Sequence, residues 1–400
     1  MKKGLLCVFS LLVFVTQAQV YRTETLTADV QTLRVSVADN GQMTVDFDVL
    51  GGDSEQYTYR IFHCNADWTP SDIPESDYLT GFQNLPLEDF TYSFNTKPDY
   101  VHYRLQIPNE DVSLKISGNY VLQIFQDGDT QPVLNACFWI VEPKAEIAVQ
   151  VSPITDKGAN STYQAVRIEV NYSSEIRNPS DELKIYVQQN NRRDNAVFVT
   201  RPLQLQNRKA IYDHHPGLIF DAGNEYRAFE MITHNYPGMN IESVEYYDPY
   251  YHSILRPDRM RSDRAYLFDE DIDGKFVIRN MDAQDSDTEA DYQLVHFFLP
   301  CKKPLAEPVY LLSEAFHHSL NARSKMEYSE QERGYVKTAL LKEGYYNYLY
   351  VTRNGNSPAS TTAIEGNYYQ TENEYRVMVY ARPVGARYDQ LIGVKTLKYK

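Results

Sequence analysis

Met43-Thr44-Val45-Asp46-Phe47-Asp48-Val49 alternates apolar and polar side chains without a break. Successive side chains of a strand point to opposite faces, so Met43, Val45, Phe47 and Val49 share one face, and Asp46 and Asp48 lie on the other. The stretch reads as a strand with one buried face. The same period of two recurs at Val166, Ile168, Val170 and Tyr172, and again at Leu183, Ile185 and Val187. Further β-rich runs are Tyr57–Cys64, Tyr120–Phe125, Ala136–Val141, Ala145–Val151, Val197–Thr200, Tyr292–Leu299, Gly344–Thr352 and Tyr375–Ala381. Turn signals separate them at Asn40-Gly41, Asp127-Gly128-Asp129, Pro237-Gly238 and Asn354-Gly355. The nearest approach to a helical pattern, Glu314–Lys325, is irregular. Strand after strand with short connections predicts an all-β chain of three tandem immunoglobulin- or fibronectin-like β-sandwich domains.

Domain boundaries follow from prolines and polarity. Val141-Glu142-Pro143-Lys144 closes one strand-rich block, because Pro143 cannot continue a ladder. The polar stretch Asp248–Asp263 carries Pro249 and Pro257 and reads as a crossing. The expected division is therefore 19–143, 144–258 and 259–400, preceded by a leader at 1–18. That leader has Lys2-Lys3, an apolar run from Leu5 to Val15, and small residues near Ala18, the layout of a cleaved signal peptide. Cys7 lies inside the apolar run and not after it, so no lipid anchor is expected.

A formal charge of −15 opposes binding to nucleic acid or anionic lipid. Tyrosine is abundant, 33 residues against two tryptophans, which suits exposed strand faces or a broad interaction surface. Beyond the leader stand Cys64, Cys137 and Cys301, of which Cys64 and Cys137 share an expected domain and are a candidate pair.

Asp269, Asp271 and Asp273, followed by Gly274, match the first half of a calcium loop, with carboxylates at alternate positions. The twelfth position is Asn280 and not a bidentate Glu, and the flanks Ala265–Phe268 and Lys275–Ile278 read as strands. A hairpin turn at Asp273-Gly274 is the preferred reading. His63-Cys64-Asn65-Ala66-Asp67-Trp68 lacks a second pair of ligands at zinc spacing. No G-x-S-x-G, H-E-x-x-H, C-x-x-C or phosphate loop is present. The expectation is a protein that is not an enzyme and carries no cofactor.

Short blocks in a distinctive order resemble the plug protein family of the Bacteroidetes type 9 secretion system. They begin with Tyr59–Trp68 (YRIFHCNADW), Pro70-Ser71, Gly81-Phe82, Ser93–Thr96, His102-Tyr103 and Ser117–Tyr120. They continue with Gly223–Arg227, Asp271–Phe276, Ala290–Tyr292, Leu341–Tyr348 and Glu365–Tyr375. The resemblance implies a periplasmic protein of β domains that is a monomer when free. Its implied partner is the outer-membrane β-barrel translocon, whose periplasmic mouth it covers when no cargo carrier is docked. The resemblance supplies no catalytic residues. Trp68, Tyr246, Tyr247, Tyr250 and Tyr251 form the aromatic set expected to bind that partner, with packing between domains as the competing role.

In the last domain Val309–Leu312, Met326-Glu327-Tyr328, Gly334-Tyr335 and Leu340–Tyr350 resemble early-set sandwiches fused to glycogen-active enzymes, which makes a periplasmic glycan-binding module the alternative. Ser313 stands where a glycine is usual, and the sugar-stacking tryptophan is absent. That reading therefore falls on the tyrosines of Tyr345–Tyr350.

Overall fold

The computed structural model describes residues 19–38 and 41–400. The expected leader, and Asn40 of the Asn40-Gly41 turn, lie outside the described residues. Among the described residues no helix is long and apolar enough to cross a membrane.

The opening stretch is the strand Met43–Leu50, and its apolar face is buried as the alternation requires. It pairs with Val30–Val37 and Tyr100–Ile107 in one sheet of the first sandwich. The opposing sheet is built on Tyr57–Cys64, Gly118–Gln126 and Leu134–Ile140. Between the sheets Phe47 stacks on Tyr103, with ring centroids 5.2 Å apart, and Tyr57 meets Tyr103 edge-on at 5.0 Å.

A second core joins Val166, Ile168, Val170, Ile185 and Val187 to Tyr375, Val377, Val379 and Ile392. Its two sheets rest on Glu146–Ser152 with Tyr163–Asn171, and on Leu183–Gln189 with Asn373–Ala381 and Gln390–Tyr399. A third core holds Phe229, Ile241, Leu255, Val295, Phe297, Tyr346, Tyr348 and Tyr350. The third sandwich is thus inserted into the middle one and does not follow it. The chain leaves the middle sandwich after Ile219–Asp221 and returns to it at Asn373. The expected boundary at 258 falls inside the third sandwich. Alternation assigns a face to each strand, whereas its partner is chosen by long-range packing, so the insertion was not visible in the local pattern.

Asp248–Asp263 is corrected in the same way. Asp248-Pro249 is the tip of a hairpin, and Tyr250–Leu255 is a strand paired on both edges. One of those pairings, with Tyr292–Pro300, is parallel. Ala265–Phe268 forms no strand, while Phe276–Ile278 does. The Tyr266 hydroxyl explains the first result by donating to Glu225 Oε1 at 2.5 Å and to Gln370 O at 3.2 Å, which ties the segment across the surface.

Candidate functional site

Alternation turns Asp46 and Asp48 away from their own core, and register places His102 opposite Asp48 and Arg104 opposite Asp46. A face of this kind belongs in water. Here the third sandwich covers it, bringing Asp287, Tyr292 and Lys342 against it. An irregularity in pairing between Gln31 and Arg34, with Thr32 at φ 48°, re-aims the edge strand so that Thr32 and Arg34 join them.

The centre of this seam is Asp48, 1% exposed. Its Oδ1 lies 2.7 Å from His102 Nδ1, and its Oδ2 accepts from Lys342 Nζ and from the Tyr292 hydroxyl, each at 2.6 Å. Burial alone would raise the Asp48 pKa, but Lys342 and His102 outweigh it and hold the carboxyl below its ordinary value. Burial also opposes charge on His102, yet the carboxylates of Asp46 and Asp48 beside it carry its pKa up to about 9. Lys342 is shifted down by burial, against the pull of Asp48, and its ammonium sits 4.1 Å from the Tyr100 ring centroid. Around this centre Arg104 bridges Asp46 at 2.6 Å and Asp287 at 3.0 Å, and Arg34 reaches Asp287 at 2.7 Å. The main chain joins the same seam through Phe94 N to Thr288 O at 2.9 Å and Lys97 N to Asp291 Oδ1 at 2.6 Å. The opposite charges neutralise one another across the seam, so the arrangement is an ion-pair lock that fixes the angle between two sandwiches.

The first and middle sandwiches are fixed in a different way. Tyr186, Met378, Tyr380 and Leu391 pack against Ala66 in a small apolar cluster. Within this seam the Tyr380 hydroxyl donates to Asn119 Oδ1 at 2.8 Å, and Ala66 N donates to Asp389 Oδ2 at 3.1 Å. Trp68 belongs here. It is 6% exposed, takes φ 66°, and lies under the Arg193 guanidinium at 4.2 Å. Its ring is buried in the seam and is not an exposed anchor, which corrects its place in the expected binding set. A cavity of about 780 Å³ opens where the three sandwiches meet, bordered by Trp68, Trp139, Arg193, Arg376 and His318.

The four tyrosines do come together. Tyr246 faces Tyr251 and Tyr247 faces Tyr250 across the hairpin. Tyr246 and Tyr247 are 45% and 60% exposed, while Tyr250 and Tyr251 are half-buried. Two aromatic rows run inward from the tip. Tyr246 meets Tyr251 at 5.0 Å, and Tyr251 stacks on His234 at 4.4 Å. Tyr247 meets His252 at 5.2 Å, and His252 stacks on His296 at 5.1 Å. Lys97, from the first sandwich, lies 5.3 Å from the Tyr246 ring, which sets this tip beside the locked seam. The seam also carries Phe94, 71% exposed, and the exposed Tyr236 meets the exposed Met281. A cluster of exposed aromatic and sulfur side chains is what a protein-binding surface requires.

Asp269, Asp271 and Asp273 do not converge on a cation. Asp271 accepts from Tyr226 N at 2.5 Å and Asp273 N at 2.7 Å, Asp273 pairs with Lys398 at 3.4 Å, and Asp269 is exposed. Asp273 at φ 57° and Gly274 at φ 82° make the turn that the sequence favoured. Of the tyrosines on which the glycan alternative falls, Tyr345 alone is half-buried and the others are closed to a sugar. Tyr346, Tyr348 and Tyr350 are core residues at 4% exposure or less, because Gly344–Thr352 is covered in the middle of its sheet.

Cys64 and Cys137 are buried beside Trp68 and Val121, and both are free. Burial pushes both thiols up, so neither is a ready nucleophile. Cys301 is half-exposed. In the chain without residues 1–18, and so without Cys7, a thiol-reactive dye should therefore label Cys301 alone in the native state and all three remaining cysteines after unfolding. Labelling of Cys64 before unfolding would contradict the packing around Trp68.

Residues 16–142 match the type 9 secretion system plug protein 1st domain. The chain carries a plug domain of the type 9 secretion system. The matched segment ends just after Leu134–Ile140, the last strand of the first sandwich. The whole architecture recurs in the crystal structure of a hypothetical protein from Parabacteroides merdae. That chain is 41% identical, the similarity covers 95% of this chain and 100% of the other, and the TM-score is 0.93. No curated protein matches. The plug domain ties this protein to type 9 secretion.

Proposed function

We propose that this plug-domain protein is exported to the periplasm by a cleaved leader and binds the periplasmic mouth of the outer-membrane β-barrel translocon. There it occludes the barrel when no cargo carrier is docked. A wide aqueous pore is sealed by filling space and not by chemistry, so a cover must keep its shape under load.

The observation that carries this reading is the lock around Asp48, in a chain whose first domain is a type 9 secretion plug domain. The first and third sandwiches are joined by buried, mutually neutralised charges, and the first and middle ones by an apolar cluster with buried hydrogen bonds. Such joints resist domain motion, where a small polar interface would permit it. The exposed Tyr246–Tyr247 tip beside the lock offers aromatic anchors of the kind that dominate binding energy at interfaces. The acidic surface gives no general electrostatic pull toward acidic lipid, so recognition rests on such anchors and on shape. The free protein is a monomer in this reading.

Isolation of the tagged translocon from cells that make this protein tests the proposal. The chain should co-purify with barrels that carry no cargo carrier and be missing from barrels that hold one. Cargo-free barrels isolated without it would end the proposal.

A further inference from the structure

Glu343 follows Lys342 and points away from the lock, into a second buried group of charges. It is fully buried, as is nearly all of Asp291, at 0% and 3% exposure. Facing both carboxylates is one imidazole. His234 Nδ1 lies 3.5 Å from Asp291 Oδ2 and 3.6 Å from Glu343 Oε1. Both separations exceed a hydrogen bond, and His234 Nδ1 is buried without a hydrogen-bond partner. They match the spacing of neighbouring ligands around a tetrahedral ion with bonds of about 2.0–2.1 Å, which is about 3.4 Å.

The surroundings hold the three side chains in place. Lys97 N donates to Asp291 Oδ1 at 2.6 Å, while Oδ2 is turned to the imidazole. Glu343 Oε2 accepts from Asn280 Nδ2 at 2.7 Å and Asp291 N at 3.0 Å. Glu343 Oε1 accepts from Gln293 Nε2 at 2.9 Å, and Gln293 Oε1 accepts from Ser253 Oγ at 2.6 Å. The His234 ring is clamped against Tyr251 at 4.4 Å. Hydrogen-bonded supports of this kind orient metal ligands.

Charge separates this group from the other His and carboxylate cluster of the seam. Asp46, His102 and Asp287 also converge, but Arg34 and Arg104 already neutralise the two carboxylates. At His234, among the described residues, no guanidinium or ammonium forms an ion pair with either carboxylate. Two buried carboxylates face one imidazole, a costly arrangement unless a cation is shared among them.

We propose that His234 Nδ1, Asp291 Oδ2 and Glu343 Oε1 bind one divalent cation, with water in the fourth position. One nitrogen and two oxygen ligands at this spacing suit Zn²⁺. Because Asp291 also holds the Lys97 amide of the first sandwich, the ion would brace the seam beneath the tyrosine tip. This goes beyond the proposed occlusion and does not depend on it.

The test is calorimetry on the full chain without residues 1–18, first stripped with EDTA and then titrated with ZnSO₄. One ion per chain should bind, thermal unfolding should move upward with it, and MgCl₂ and CaCl₂ should leave unfolding unmoved. His234→Ala removes a half-exposed loop side chain and should weaken zinc binding by about 100-fold or more while leaving the circular dichroism spectrum unchanged. Co²⁺ gives an independent reading, since a tetrahedral site yields strong visible absorption, which Glu343→Gln should abolish. A wild-type chain that binds no stoichiometric zinc, or a His234→Ala chain that binds it equally tightly, would overturn the proposal.

Discussion

Lys342→Met should lower the free energy of the first unfolding transition in urea by about 3–5 kcal/mol, the usual cost of removing one partner from a buried ion pair. Methionine nearly preserves the volume, so the loss is electrostatic. The Asp48 carboxylate stays 1% exposed with His102 as its remaining cation. Adding Asp48→Asn to the variant removes the stranded charge and should recover much of the loss. With the Asp48→Asn single variant as well, the cost of the double variant less the two single costs measures the coupling.

The variant should also respond to pH. The folded His102 pKa, about 9, stands above its ordinary 6.5. Its contribution is therefore fully present below about pH 6.5 and is lost as pH rises through about 9. Lys342→Met leans on that imidazolium more heavily than the wild-type protein does, so its stability should fall more steeply across this window. A loss below about 1 kcal/mol for Lys342→Met would mean that Asp48 is not paired as described.

The second large effect belongs to the hairpin tip. Tyr246→Ala with Tyr247→Ala should weaken binding to the purified translocon by about 30-fold or more, the equivalent of about 2 kcal/mol for aromatic anchors. Thermal stability should stay nearly unchanged, because both side chains are largely solvent-exposed and such surface changes cost about 0.5 kcal/mol or less. Trp68→Ala should behave in the opposite way. It empties a closed seam under Arg193 and should cost about 3–5 kcal/mol of stability. A double tyrosine variant that binds the barrel as tightly as wild type would move the contact surface elsewhere.

Much of the local structure was legible. Tyr57–Cys64 and Gly344–Thr352 are strands with the limits that alternation and composition set. Asp46 and Asp48 do point away from their own core. What the pattern could not say is that another sandwich would lie on that face, since burial by a distant segment leaves no mark on local periodicity. The lock had one trace in the sequence. Lys342-Glu343 interrupts an apolar strand region immediately before Gly344, where a Cβ would come within 2.2 Å of Val277 O. Adjacent charges at a crowded strand junction signal two partners on opposite sides. The tyrosine hairpin was read as a crossing because Pro249 and its polar neighbours also suit a linker, and only the pairing of Tyr246 with Tyr251 separates the two. Trp68 misled for a related reason, since an aromatic anchor looks alike whether its partner is another protein or the next domain.

The nested arrangement has a consequence for biogenesis. Leu183–Gln189 meets its second neighbour only when Asn373–Ala381 has been made, so nearly half the polypeptide must emerge between two adjacent strands of one sheet. The inner unit has all its own strands by then and is free to collapse first, bringing Asp221 and Asn373 toward each other as a template. Until that moment the half-built sheet exposes a bare edge of Ile185 and Val187, a stretch that invites a holdase to sit where the late strand will go.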